Sequence, residues 1–321
     1  MRKLENLTAE MTYVGDLQLG CMKGSLDYLG IEVSRPWLAG VTGQAFVIGI
    51  APDICLSSVS SCLEDEYADG TMARLGRNLG YELEYHRFDG RDPNRRAMAW
   101  ERFQEAIDAG RPCYGYFNFC YQLYVGYDAE GFYIGDGATN AGQGPFSMLD
   151  VDGDSWNLCI VGPAGPSSDD RTAAKDGLEF VIRHARAGEV GDGPGETQAG
   201  DAHGAEAYRR WIAFMDVGKE SGTWRAIDHY VRCRELAVEF LAEAQLRLPA
   251  DVDPLLREAR RLYRSVCDDL WPIADAFGQG KQPIPFGESG SLHAEAADRL
   301  RSACDSETRA LTVLESIAEA L

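Results

Sequence analysis

The sequence predicts an α+β domain with an antiparallel sheet followed by an all-α helical bundle domain, and three observations carry that reading. Strand and helix patterns interleave over the first 187 residues. A glycine-rich, acidic stretch without periodicity, GEVGDGPGETQAGDAHG, then occupies Gly188–Gly204. From Ala205 onward apolar residues recur at helical spacing alone. The expected organisation is an α+β domain at 1–187, a linker at 188–204 and a helical bundle domain at 205–321.

Each element has its own local signal. A helix is expected over Leu17–Leu29, with Gly30 placed to take the left-handed conformation that ends helices. Ser34 reads as the N-cap of a short helix through Trp37 and Leu38, with Pro36 near its first turn. Ala45–Ile50 is an apolar run of strand length, and Met72–Leu79 a helix stopped by Gly80. Tyr81–Phe88 alternates Leu83, Tyr85 and Arg87 against Glu82, Glu84 and His86, as a half-buried strand does. Asp92-Pro93 opens a helix carrying Met98, Phe103 and Ile107 at helical spacing.

Gly110–Gly137 then writes three strands and two tight turns in one run: Pro112–Asn118, Tyr121–Tyr127 and Phe132–Asp136. The last two strands are joined by the Asp128–Gly131 loop, whose glycine accepts the positive φ that closes a hairpin. The density of aromatic residues from Tyr114 to Tyr133 suits a pleated, half-buried sheet. Those rings would furnish the core between sheet and bundle, or the wall of a cleft there. Gly135–Gly144 lacks the lysine of a phosphate loop and reads as a surface loop. Trp156–Val161 is a further strand, and Asp169 or Asp170 caps a helix through Ala187. In the C-terminal third, stripes such as Tyr208, Trp211 and Met215, or Leu255, Ala259, Leu262 and Val266, bury one helix face each. Gly278–Gly290 is the expected loop before the last helix.

Composition narrows the function classes. The chain has 321 residues and a formal charge of −20, so nucleic acid and anionic membrane surfaces would repel it. No run of eighteen apolar residues exists, and the start, MRKLENLTAEM, has no apolar signal-peptide core, so a cytoplasmic protein is expected. The nine cysteines form no CxxC pair and no cysteine–histidine pair at finger spacing, which predicts reduced, packed thiols and neither metal nor other cofactor.

The chemistry left open is that of a thiol. A cysteine nucleophile favours a helix N-terminus and needs an imidazole oriented by a third group. Cys21 lies in the first turns of the N-terminal helix. Of the five histidines, His86 is expected on a strand's polar face, His184 late in a helix, His203 in the linker, and His229 and His293 in the bundle. Gln18, Gln44 and Gln122 are candidate donors to an oxyanion or ligand carbonyl.

Three segments carry a family resemblance: GCMKGSLDYLGIEVS (Gly20–Ser34), LYVGYDAEGFYIGDG (Leu123–Gly137), and the helical AYRRW (Ala207–Trp211) with RELAVEFLAEA (Arg234–Ala244). Together they resemble butirosin-biosynthesis protein H-like proteins. These join a papain-like domain, similar to bacteriocin double-glycine leader peptidases, to a helical C-terminal domain. The resemblance implies a cysteine on the first long helix, a histidine opening the strand that runs into the Gly-Tyr-Asp turn, and an Asp or Asn ending the next strand. It implies peptide cleavage or, for the butirosin branch, acyl transfer from a carrier protein to an aminoglycoside amine. Asp136 matches the orienting acid, whereas Cys120, six residues before Gly126, stands where the histidine would fall. If the helix is registered on Leu29-Gly30, the nucleophile position falls near Leu17 and Cys21 sits one turn further in.

The catalytic set is therefore Cys21, Cys120 and Asp136, with a degenerate dyad. The leading expectation is a pseudoenzyme that binds a small amine, peptide or acylated partner, with an acyl carrier protein as a candidate partner. An active cysteine-dependent acyltransferase or amide hydrolase using Cys21 is the alternative enzyme reading. A non-enzymatic homo-oligomer using the bundle's apolar faces is the third.

Overall fold

The computed structural model describes residues 1–10, 17–52, 63–88, 92–117, 120–135, 142–147, 156–187, 201–218, 223–278 and 286–321. They form two compact units, each built from two separate stretches of chain: Met1–Val33 with Glu66–Ser168, and Ser34–Asp65 with Asp169–Leu321. Both α-helix and antiparallel sheet are present, and the C-terminal region is helical, as an α+β reading requires.

The first unit holds a six-stranded antiparallel sheet. Its strands are β1 (Arg2–Lys3), β3 (Tyr81–Phe88), β4 (Cys113–Phe117), β5 (Cys120–Tyr127), β6 (Phe132–Ile134) and β7 (Trp156–Pro163), in the order β1-β5-β4-β7-β3 with β6 on β5. β5 and β6 form the hairpin expected around Asp128–Gly131, with Tyr127 opposite Phe132, and β4 pairs β5 antiparallel, with Phe117 opposite Cys120 and Tyr114 opposite Leu123. β3 pairs β7 over its full length, from Tyr81 with Pro163 to Phe88 with Trp156.

Helices cover both faces of this sheet. On one lie α1 (Leu17–Tyr28) and α4 (Thr71–Asn78): the Tyr81 hydroxyl donates to Met22 Sδ at 3.3 Å, and Tyr81's ring fills the space a Cβ on Gly76 would take. On the other lies α5 (Pro93–Asp108), whose Phe103 packs edge-on against Tyr124 and Phe132. The alternation read in β3 holds: Tyr81 and Leu83 are buried toward α1 and α4, while Glu84 turns to α5 and accepts from Arg102. Asp92 caps α5 as expected, its carboxylate accepting from the Asn94 and Arg95 amides. Between the units in sequence lies α3 (Glu64–Ala68).

The second unit contains α2 (Arg35–Val41), β2 (Gly49–Ile50), α6 (Asp170–Arg186), β8 (Ala202–His203), α7 (Gly204–Asp216), α8 (Thr223–Arg247), α9 (Asp253–Phe277) and α10 (Phe286–Ala320). α9 packs on α8 and α10, α10 also on α6 and α7, and α2 lies against α6 and α8. The expected caps are present here too: Ser34 Oγ accepts from the Trp37 amide, and Asp169 from the Thr172 amide. A core joining Ile48, Ile50, Trp211, Tyr230, Leu270 and Leu300 runs through the bundle. Burying each such side chain contributes about 1.5–3 kcal/mol.

Four sequence expectations are corrected. The unit boundaries do not follow a 1–187 domain, because α2, β2 and α6 pack with the C-terminal helices. Ala45–Ile50 is not one strand: the amides of Ala45, Phe46 and Val47 turn back onto the carbonyls of Ala39 and Gly43, leaving Gly49–Ile50 extended. The end of the expected linker is structured, since Asp201, Ala202 and His203 are buried and Ala202–His203 pairs with Gly49–Ile50. The last helix begins by Phe286, inside the stretch read as a loop.

Candidate functional site

Cys21 is the fifth residue of α1, on the buried side of the helix with Met22, Ser25 and Leu26. Ser25 Oγ donates to the Cys21 carbonyl at 2.8 Å, and Lys23 on the outer side pairs with Asp27 and Glu10. Beneath α1 the sheet offers phenols and thiols. Tyr67 and Tyr114 share a hydroxyl contact of 3.3 Å, and Tyr67 packs on Tyr85. Burial pushes both Tyr67 and Tyr114 well above the usual tyrosine range, and the neighbouring Cys159 thiol adds to it. These hydroxyls are thus neutral hydrogen-bonding groups at physiological pH. Cys113, opposite Tyr124 and so on the α5 face, likewise has its thiol raised by burial.

Residues 1–33 and 66–168 contain one histidine, His86. It stands on β3 beside Glu84, with Nε2 3.5 Å from the carboxylate, in phase with Glu84 and so on the α5 face. Cys21 sits on a helix of the opposite face. The sheet therefore separates this thiol from the imidazole of its own unit.

The other expected site residues disperse. Gln18 is half-buried on α1, one turn before Cys21. Gln122 is fully buried on β5, in phase with Tyr124 and hence toward α5. Gln44 belongs to the second unit, where its Nε2 donates to Thr42 Oγ1 at 3.2 Å. Cys120 is described through its backbone pairing with Phe117, and Asp136 lies outside the described residues. The aromatic rings read as a cleft wall or interdomain core instead fill the first unit's own core, with Phe103, Phe117, Tyr124, Phe132 and Phe146 in edge-on and tilted contacts. Each such pair adds about 0.5–1.5 kcal/mol beyond area burial.

Histidine chemistry concentrates in the second unit. His184 on α6 and His203 on β8 are both buried, with ring centroids 4.3 Å apart and nearly perpendicular. His184 stands late in its helix as expected, whereas His203, read as a linker residue, lies in a paired strand. His229 Nε2 lies 3.4 Å from Cys233 Sγ one turn along α8, but burial pushes that thiol up to about 12. His293 packs against Phe277. Among the described residues no three His, Cys, Asp or Glu side chains converge as metal ligands. Nor is any described helix long and apolar enough to cross a membrane.

The second unit also holds a fully buried cation that sequence reading missed. Arg234 donates to both Glu307 oxygens and, at 3.0 Å, to the Val47 carbonyl, while the Tyr208 hydroxyl donates to Glu307 at 2.7 Å. Tyr230 accepts from the Gly49 amide and donates to its carbonyl. This ties the Val47–Ile50 segment to the bundle. An arginine in phase with the apolar face of α8 was the available signal.

Among the described residues of the first unit, one cavity of about 390 Å³ opens beside Lys3, Leu7 and Tyr133, and another of about 310 Å³ beside Arg96, Trp100 and Glu130. Neither is lined by Cys21. No protein-family model matches this chain, and no curated protein matches it.

Proposed function

We propose that this protein is a papain-like protein of the butirosin H-like class whose catalytic dyad is degenerate, and that it binds a small amine, peptide or acylated partner in natural-product metabolism. One observation carries the reading: Cys21 is fully buried on a helix of one sheet face, and His86, the histidine of the same unit, stands on the other. In a papain-like dyad an adjacent imidazole activates the thiol as a nucleophile near neutral pH. Cys120, at the strand start where that base would fall by resemblance, is itself a thiol. The antiparallel sheet with α1 laid across it supports the papain-like assignment, as does the Gly126-Tyr127-Asp128 run that ends β5.

Two measurements test this. Low-concentration iodoacetamide at pH 7 is expected to leave Cys21 unlabelled in the native protein, because the side chain is 0% exposed. Labelling of Cys21 ahead of the other eight cysteines would establish the active-thiol alternative instead. In a melting-temperature screen of amines, peptides and acylated thiols, a ligand at a hundred times its dissociation constant adds about 2.7 kcal/mol of stability. Failure of every compound to raise the melting temperature sinks the binding reading.

A further inference from the structure

A cavity lies between the first two turns of α5 and the β5–β6 loop. Its wall is Trp100, and its two charged groups are Arg96 and Glu130. The indole is held from behind, packed on Phe103 at 5.5 Å between centroids and edge-on against Tyr127 at 5.7 Å. Arg96 lies one helical turn before Trp100, so both belong to the same stripe of α5.

The neighbouring arginines of α5 are engaged. Arg95 pairs with Asp92, and Arg102 with Glu84 and Glu105. Arg96 forms no ion pair with any described residue, in a chain that carries 51 acidic residues against 31 basic ones. Glu130 forms none either, and the two do not pair with each other across the cavity. The loop that carries Glu130 is fixed. Asp128 accepts from the Glu130 and Gly131 amides and from the Tyr133 hydroxyl, and its own amide donates to the Gly131 carbonyl. Any side chain at Gly131 would overlap the Phe146 carbonyl, so the loop is held flat against its neighbour.

We infer that this cavity is a binding site for a small zwitterion with a planar ring, of the aromatic amino acid class. The carboxylate pairs with the Arg96 guanidinium, whose planar fork suits it. The ring lies on Trp100, and the ammonium faces Glu130. A volume of about 310 Å³ stands at the small end of ligand pockets and fits a single-ring compound. The assignment is independent of the papain-like reading, since it uses neither Cys21 nor its helix.

Isothermal titration of the full chain tests it with three probes: L-phenylalanine, 3-phenylpropionate, which lacks the ammonium, and phenethylamine, which lacks the carboxylate. L-phenylalanine is expected to bind most tightly, 3-phenylpropionate more weakly, and phenethylamine not measurably. The Arg96→Gln variant should lose about tenfold or more in affinity for both carboxylates, as loss of a charge-assisted pair does. Glu130→Gln should bring L-phenylalanine down to the level of 3-phenylpropionate. Both substitutions fall on partly or fully exposed side chains that pair with no described residue, so unchanged melting temperatures will confirm intact folding. Absence of L-phenylalanine binding, or equal affinity in native protein and Arg96→Gln, overturns the site. Equal affinity of native protein for L-phenylalanine and 3-phenylpropionate overturns the zwitterion class.

Discussion

The thiol of Cys233 lies one helical turn from the imidazole of His229, at 3.4 Å, and yet lacks the character of a nucleophile. Burial raises it to about 12, and the nearby cations Arg234 and Arg35 offset only part of that. The consequence for stability has a definite sign. A thiol whose folded pKa exceeds its unfolded value leaves stability untouched below the unfolded value, near 9, and removes it as pH rises from there toward about 12. Native protein should therefore lose unfolding free energy relative to Cys233→Ala between pH 9 and pH 10.5, with no divergence between pH 7 and pH 8.5. Urea unfolding of the two proteins across that range decides it, and parallel curves throughout would contradict the buried-thiol account. At this scale the sequence held more than was read from it. Residues 229 and 233 stand four apart on a helix, so their contact follows from helix geometry. The His184–His203 contact does not, because it requires β8 to return against α6 from beyond residue 200.

The elements show which signals are local. The caps at Ser34, Asp92 and Asp169 depend on one side chain and two or three following amides; the first two stand where the sequence put them, and of Asp169 and Asp170 it is Asp169 that caps α6. Strands β3 to β7 were likewise readable, because alternation and hairpin turns are short-range. Ala45–Val47 was not readable, since its apolar residues are buried equally well in a turn, and the choice was made by backbone bonds to Ala39 of α2 and to Gly43 just beyond it. The close approach of α1 to the N-terminal segment is another tertiary feature. In α1 a methyl on Gly24 would overlap the Thr8 carbonyl oxygen and press on Ala9 Cα, both backbone atoms that cannot rotate away. Helix propensity alone favours Gly24→Ala by about 1 kcal/mol. Overpacking against backbone costs about 1–3 kcal/mol and should win, so Gly24→Ala lowers the urea midpoint. Gly30→Ala is the matched comparison: its surroundings are open, and its cost comes from φ of +70° alone. A Gly24→Ala protein more stable than native would show that α1 does not lie against Thr8 and Ala9.

At the scale of the molecule, composition and packing divide the chain at different places. The glycine-rich acidic stretch is the sharpest change in composition, but packing sets the unit boundaries near residues 33, 65 and 168. Sequence reveals where periodicity stops, not which distant segment completes a core. Here the completing segments are identifiable one by one. Trp37 of α2 packs on Phe240 of α8, and the backbone at Gly40 approaches the same ring so closely that a Cβ would overlap it. Phe46 packs edge-on against Phe240 and Tyr263. The Val47 carbonyl accepts from the buried Arg234, and Tyr230 holds Gly49. From α6, Phe180 and Val181 close over Gly43. A fragment of residues 205–321, cut where the sequence suggested a bundle domain, keeps four helices but strips α8 of these partners. It also leaves Arg234 short of one buried acceptor, a loss of about 1–3 kcal/mol in itself. Such a fragment should show strong helical far-UV dichroism with weak near-UV signal, bind 1-anilinonaphthalene-8-sulfonate, and unfold in urea without a cooperative transition, as expanded states with unfixed packing do. Cooperative unfolding with native-like near-UV dichroism would mean that the four C-terminal helices form a complete core without α2, β2 and α6.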